Sequence, residues 1–306
     1  MANKERLRIG YMGVGLMGHG AARNILEKGY PLTVLGNRNR APVEDLVRRG
    51  AREAASPRQL AEDCDVVFLC LPSTVQVEEA VYGEHGMLAA ARPGFVLVDS
   101  TTSDPVSTRR IGADIRARGG EMVDAPMGRT PREAEAGALS SFVGGSREAL
   151  DRVLPVIRCY ADTIVETGEL GSGHAIKLVN NFLAIATGAV VGEAIAAAMV
   201  LGVDLATFKA VVETGGANST MFHRFTQWAL HGDDSLMQAT MAIGEKDLRY
   251  YRQMADAANL STSMAEAATQ LFSMANRLGH SRQFIPVLPT ILASFTDGRE
   301  RPLPRR

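Results

Sequence analysis

Short, continuous apolar runs bounded by Gly, Pro or Asp alternate with amphipathic stretches over the first half of the chain. The runs at 7–12, 31–36, 65–71, 95–99, 121–125, 139–145 and 162–167 read as strands. Strands of a parallel sheet are buried on both faces, so they carry unbroken apolar residues rather than an alternation. Between them, 17–28, 42–49, 74–81, 105–118 and 147–157 read as helices. Strand–helix alternation of this kind predicts a doubly wound α/β sheet of the Rossmann type. After Gly171 the strand pattern stops. Residues 174–202 are Ala-rich and predict one helix long enough to cross a domain at about 1.5 Å per residue. It contains Glu193 and several glycines and reads as a buried helix rather than a membrane span. Further helices are predicted around 204–214, 240–258, 262–278 and 281–295. The expected fold is therefore a Rossmann-like doubly wound domain over 1–168, followed by an all-α domain with a long central helix over 169–306. The tail GRERPLPRR reads as frayed surface.

Composition narrows the class. The chain has 306 residues, 46% hydrophobic and 22% charged, which excludes a mainly disordered chain, a collagen and a small disulfide scaffold. A net charge of -1 gives no general attraction to nucleic acid or anionic lipid, so neither is an expected partner. Cys64, Cys70 and Cys159 have no CxxC spacing, and the six histidines have no metal spacing, so no metal site is expected. The opening MANKERLRIG is polar and then strand-like, unlike a signal peptide, and a cytoplasmic location is the default.

Gly13-Val14-Gly15-Leu16-Met17-Gly18 fits G-x-G-x-x-G directly after the first predicted strand and opens the first predicted helix. In that context Gly13 allows the tight turn, Gly15 lets backbone approach a pyrophosphate, and Gly18 lets helix and strand pack closely. The helix N-terminus then offers free N–H groups to the anion. The end of the second strand bears on the cofactor. An NAD site normally has an acidic residue there, on the ribose hydroxyls. Here the segment is Gly36-Asn37-Arg38-Asn39-Arg40, with no carboxylate to repel a 2′-phosphate and two arginines to pair with it. NADP(H) is expected over NAD(H), and two solvated surface arginines are the alternative.

Lysine occurs only at 4, 28, 177, 209 and 246, so Lys177 stands out inside an apolar helix. Asn180 and Asn181 follow on the same helical face. A buried ammonium beside two amides needs a reason; snorkelling of Lys177 to the surface is the plainer reading. Met221, Phe222, Phe225 and Trp228 fall at helical spacing and read as core.

Taken together, IGYMGVGLMG (9–18), the Leu71-Pro72 strand end, VDSTT (98–102), VDAP (123–126), GSGHAIKLVNN (171–181) and EKDL (245–248) resemble the β-hydroxyacid dehydrogenase family, which includes 3-hydroxyisobutyrate dehydrogenase and tartronate semialdehyde reductase. The resemblance implies the two-domain architecture above and a homodimer or homotetramer. It implies that Lys177 donates a proton to the carbonyl oxygen as hydride arrives, and that Asn181 orients the reacting oxygen. Asn180 resembles a second substrate-facing amide, Thr102 the residue beside the nicotinamide ribose, and Lys246 a helical-domain lysine that closes over the cofactor. The family's D-A-P-V-S-G-G loop is here Asp124-Ala125-Pro126-Met127-Gly128-Arg129-Thr130. The Gly128-Arg129-Thr130 variant is similar to the 3-sulfolactaldehyde reductase branch and implies a guanidinium fork for an anion. That branch typically carries an Asp at the end of the second strand and uses NADH, whereas this chain lacks the Asp. Thr101 stands where Ser is usual and adds a methyl group to the pocket. The plain reading of Arg129 is a salt bridge to Glu133 or Glu135.

The expected activity is NADP(H)-dependent interconversion of a small anionic aldehyde, of semialdehyde or sulfolactaldehyde type, and its hydroxy acid. The alternatives are a dehydrogenase of a secondary β-hydroxy acid or hydroxy amino acid, an imine reductase, and a non-catalytic cofactor-binding module. Lys177 speaks against the last two.

Overall fold

The computed structural model describes residues 6–297; the first five residues and the tail 298–306 lie outside the described residues. The chain forms two compact units that divide between Lys177 and Leu178.

The first unit is built on a sheet of nine strands: β1 (Ile9–Met12), β2 (Leu32–Leu35), β3 (Arg52–Glu53), β4 (Val66–Leu69), β5 (Val96–Asp99), β6 (Glu121–Asp124), β7 (Met127–Gly128), β8 (Leu139–Gly144) and β9 (Ala161–Gly168). The first six run parallel in the order 3-2-1-4-5-6, the doubly wound order whose strand ends hold dinucleotides. Both faces are dry. Val66 and Phe68 of β4 point into one core cluster with Ile9, Val34 and Val98, while Val67 and Leu69 point into another with Leu60, Leu97 and Ile111. This two-sided burial produces the unbroken apolar runs in the sequence.

Helices α1 (Gly18–Glu27), α2 (Ala41–Arg48), α3 (Pro57–Asp63), α4 (Thr74–Tyr82), α5 (Pro105–Arg116), α6 (Pro131–Ala136) and α7 (Arg147–Ile157) accompany the sheet. Several begin at side-chain caps that satisfy free N–H groups: Ser56 for α3, Asp104 for α5 and Ser146 for α7.

The sheet departs from a wholly parallel one. β8 runs antiparallel to β6 and β7, because β7 and β8 are joined by the six-residue α6, shorter than a parallel crossover requires. β9 pairs only with β8 and is largely exposed, not a buried strand.

Helix α8 (Ser172–Leu201) carries the chain from the first unit into the second. It is long and apolar enough to cross a membrane by length and composition; Ile185, Ala189, Val191 and Ile195 pack in the core of the second unit. That unit continues with α9 (Leu205–Glu213), α10 (Thr220–His231), α11 (Met241–Ala257), α12 (Ser263–Ala275) and α13 (Leu288–Asp297). Met221, Phe222, Phe225 and Trp228 are core residues of α10, as their spacing predicts. The predicted helix at 281–295 begins only at Leu288. Phe284 is extended and bridges Thr240, and Pro286 sits in a separate short turn over Ile285–Val287.

Candidate active site

The glycine loop lies between β1 and α1. Gly13 has φ 99°, and a Cβ there would lie 2.1 Å from the Cys70 carbonyl oxygen; one on Gly18 would lie 2.0 Å from that of Gly13. These two glycines are demanded by the fold itself. Gly15 differs, since an added Cβ would meet nothing within 4 Å. Packing does not require glycine there, whereas close approach of a phosphate to the backbone does. Val14 is anchored in the core, Met17 packs against it, and Leu16 is exposed. No side chain caps the first turn of α1, so the positive end of its dipole faces the loop, although the His19 N–H already donates to the Gly15 carbonyl at 2.9 Å. The loop therefore fits a dinucleotide.

At the end of β2, Asn37, Arg38 and Arg40 are exposed. Arg40 is not available as the sequence suggests. Its guanidinium forks onto both oxygens of Glu53, at 2.7 and 2.8 Å, because β3 pairs with β2 and brings Glu53 alongside. Arg38 has no such partner among the described residues.

The ends of β4 and β5 are tied together. The Leu71 N–H donates to Thr101 Oγ1 at 3.0 Å, and the Thr101 N–H donates to Asp99 Oδ1 at 2.9 Å. Thr101 is buried, so its hydroxyl serves the strand ends; Pro72 is exposed and Thr102 half-buried. Asp99 also accepts from Ser103 Oγ at 2.8 Å.

The loop after β6 is closed by its own side chains. A Cβ on Gly128 would meet Ser140 Oγ, so a larger residue there would require the Ser140 side chain to turn away. Arg129 has φ 76°, a left-handed conformation that costs a non-glycine residue about 1–3 kcal/mol. It pairs with neither Glu133 nor Glu135. Its guanidinium reaches Asp162 on β9 at 2.9 Å and donates to Thr163 Oγ1 at 3.0 Å and to the Ala138 carbonyl. Glu133 instead completes a capping box with Thr130, and Glu135 pairs with Arg23 and His19. The predicted anion-holding side chains Arg129 and Thr130 are thus both engaged within the unit.

Asp124, at the end of β6, accepts the backbone N–H of Gly171 and of His174, each at 2.7 Å. A carboxylate from another strand thereby caps the start of α8. Burial pushes the Asp124 carboxyl up, while His174 and the two backbone donors pull it down. Lys177 stands one turn further along α8 and is half-buried rather than fully enclosed.

In the second unit, Asn181 Nδ2 donates to Asp247 Oδ2 at 2.7 Å, and Lys246 Nζ lies 2.9 Å from Asp247 Oδ1. Lys246 also sits 5.4 Å from the centre of the Tyr250 ring. Asp247 is buried, and it orients two predicted site residues at once. Sequence reasoning did not single it out, although it lies within the EKDL segment. Asn180 is exposed and reaches Asn181 Oδ1 only at 3.4 Å.

Comparisons with known proteins reach into both units. Residues 8–168 match the family profile described as the NAD binding domain of 6-phosphogluconate dehydrogenase. Residues 171–288 match that described as NAD-binding of NADP-dependent 3-hydroxyisobutyrate dehydrogenase. The chain belongs to the β-hydroxyacid dehydrogenase family, whose members are NAD(P)-dependent oxidoreductases of hydroxy acids. It is 31% identical over 279 residues to 3-sulfolactaldehyde reductase of Escherichia coli (strain K12), covering 90% of this chain and 92% of that one. It is 29% identical over 284 residues to 2-hydroxy-3-oxopropionate reductase of the same organism, covering 90% and 94%. The crystal structure of 3-hydroxyisobutyrate dehydrogenase from Salmonella typhimurium superposes with a TM-score of 0.81 at 27% identity, covering 93% of this chain and 99% of that one.

Proposed function

We propose that this chain is an NADP(H)-dependent oxidoreductase that interconverts a small aldehyde bearing an anionic group and the corresponding hydroxy acid. The observation that carries the reading is the pairing, within the first unit, of an open Gly15 in the dinucleotide loop with Lys177 on a helix capped by Asp124. Bound at that loop, the nicotinamide cofactor supplies or accepts the hydride. Lys177 donates a proton to the carbonyl oxygen in reduction and takes it back from the hydroxyl in oxidation. Asn181, oriented by Asp247, holds that oxygen. Arg38 faces the 2′-phosphate, and the absence of a carboxylate at the end of β2 supports NADP(H) over NAD(H). The exposed Leu183, Val190 and Leu201 of α8 support assembly with further copies of the chain.

The test is the initial rate of NADPH oxidation with sulfolactaldehyde and with succinic, methylmalonic and tartronic semialdehydes, with NADH run beside each. A clear rate with one aldehyde, faster with NADPH, is expected. No rate with any of them, despite NADPH binding, would overturn the reading. A second reading has its own observation. Arg129 is already neutralised by Asp162, which favours a substrate of lower net charge than these aldehydes, a zwitterionic hydroxy amino acid. Oxidation of such an alcohol with NADP or NAD would select it.

A further inference from the structure

His174 is fully buried, and the mechanism above gives it no task. Its setting is not that of a packing residue. Nδ1 lies 2.8 Å from Thr108 Oγ1, whose own proton goes to the Asp104 carbonyl at 3.0 Å; Nδ1 is therefore the donor to Thr108. Nε2 has no hydrogen-bond partner and lies 3.8 Å from Asp99 Oδ2. On its other side, Nδ1 is 3.9 Å from Asp124 Oδ2. A leucine would fill the space without burying an unsatisfied ring nitrogen.

The two carboxylates explain the choice. Asp99 and Asp124 are register partners at the ends of adjacent parallel strands, and both are fully buried. Carboxylates side by side in a dry interior repel one another. His174 lies within ion-pair distance of both. Each carboxylate also holds a separate piece of the site. Asp99 holds the β5–α5 loop through Thr101 and Ser103, and Asp124 holds the first turn of α8.

We propose that His174 is a positioning residue. Set between Asp99 and Asp124 and held by Thr108, it keeps the first turn of α8, and with it Lys177, in register with the loop that carries Thr101 and Thr102. The proposal rests on the reading of Lys177 as proton donor, and its test separates the two.

The first measurement needs no substrate. Acetylation of Lys177 by acetic anhydride is followed by peptide mass spectrometry in the presence of NADPH, with Lys28 and Lys209 as internal references. In His174→Ala and in Thr108→Val the relative rate at Lys177 shifts at least threefold, while His174→Gln stays within twofold of the parent. The second measurement is turnover with NADPH and sulfolactaldehyde. kcat falls at least tenfold in His174→Ala and recovers in His174→Gln, with the NADPH Kd within threefold throughout. Thr108→Val keeps the imidazole and decides the matter if His174→Ala does not fold. An unchanged Lys177 rate in a folded His174→Ala or Thr108→Val variant overturns the proposal. So does a loss of kcat that only follows a matching loss of NADPH binding. If the parent protein itself does not turn over the aldehyde, the functional reading fails while the labelling experiment still decides the role of His174.

Discussion

Two loops of the first unit invite comparison. Residues 13–18 and residues 127–130 each follow a strand of the same sheet and each lead into a helix. The first is shaped by what is missing. Gly13 and Gly18 are pressed against carbonyl oxygens, and Gly15 faces open space. The second is shaped by side chains: Arg129 reaches across to β9, and Thr130 exchanges hydrogen bonds with Glu133. A backbone requirement leaves a mark at fixed spacing. A side chain's destination depends on partners that spacing does not reveal.

The sharpest way to break this comparison is to add one methyl group to the first loop. Gly13→Ala combines a left-handed backbone with a backbone clash. It is expected to destabilise the protein by more than about 3 kcal/mol, read as loss of the native melting transition. Gly15→Ala should leave the melting temperature within about 1 °C while raising the NADPH Kd about tenfold or more. A fall in stability without a change in affinity would put the phosphate elsewhere.

Arg38→Ala removes a charge-assisted contact worth about 1.5–3 kcal/mol, so the NADPH Kd should rise about 10–100-fold and the NADH Kd about twofold at most. Titration of cofactor fluorescence reads both, and equal changes would refute the role. In the second loop, Arg129→Met breaks a partly exposed ion pair. It should shift the melting temperature little and leave the NADPH Kd unchanged. A rise in KM confined to the anionic aldehyde would reassign the guanidinium to the substrate.

The smallest effect lies on the acid side. Asp45 binds Arg49 and His19, and chiefly through the Arg49 hydrogen bond its carboxyl is held down to about 2. Its folded value lies below its unfolded one, so its contribution to stability is present above about pH 4 and lost as pH falls towards 2. Asp45→Asn should flatten that part of the melting-temperature profile; an unchanged slope would contradict it.

The same contrast governs what the sequence revealed. The seven longer strands were legible because each is buried on both faces or bounded by turn residues. β3 and β7 have only two residues each and carry no pattern. Helices α3 and α6 have only seven and six residues, too few for a clear apolar period, but their starts were written in Ser56-Pro57 and in Thr130-Pro131 with Glu133, whereas α10 was legible in the spacing of Met221, Phe222, Phe225 and Trp228. Within the site, the glycine loop was legible in full. The partners of Arg40 and Arg129 were not, because Glu53 and Asp162 arrive from other strands. His174 carried no signal of its own, since burial between two carboxylates is a product of strand register.

The central claim is that one lysine moves the proton while other residues hold the cofactor. Its most direct test compares Lys177→Ala with the parent protein, measuring NADPH affinity and turnover of the four aldehydes on the same preparations. An NADPH Kd within about threefold and a rate lowered about a thousandfold are predicted. Retention of more than about a tenth of the parent rate, with binding intact, would contradict the account.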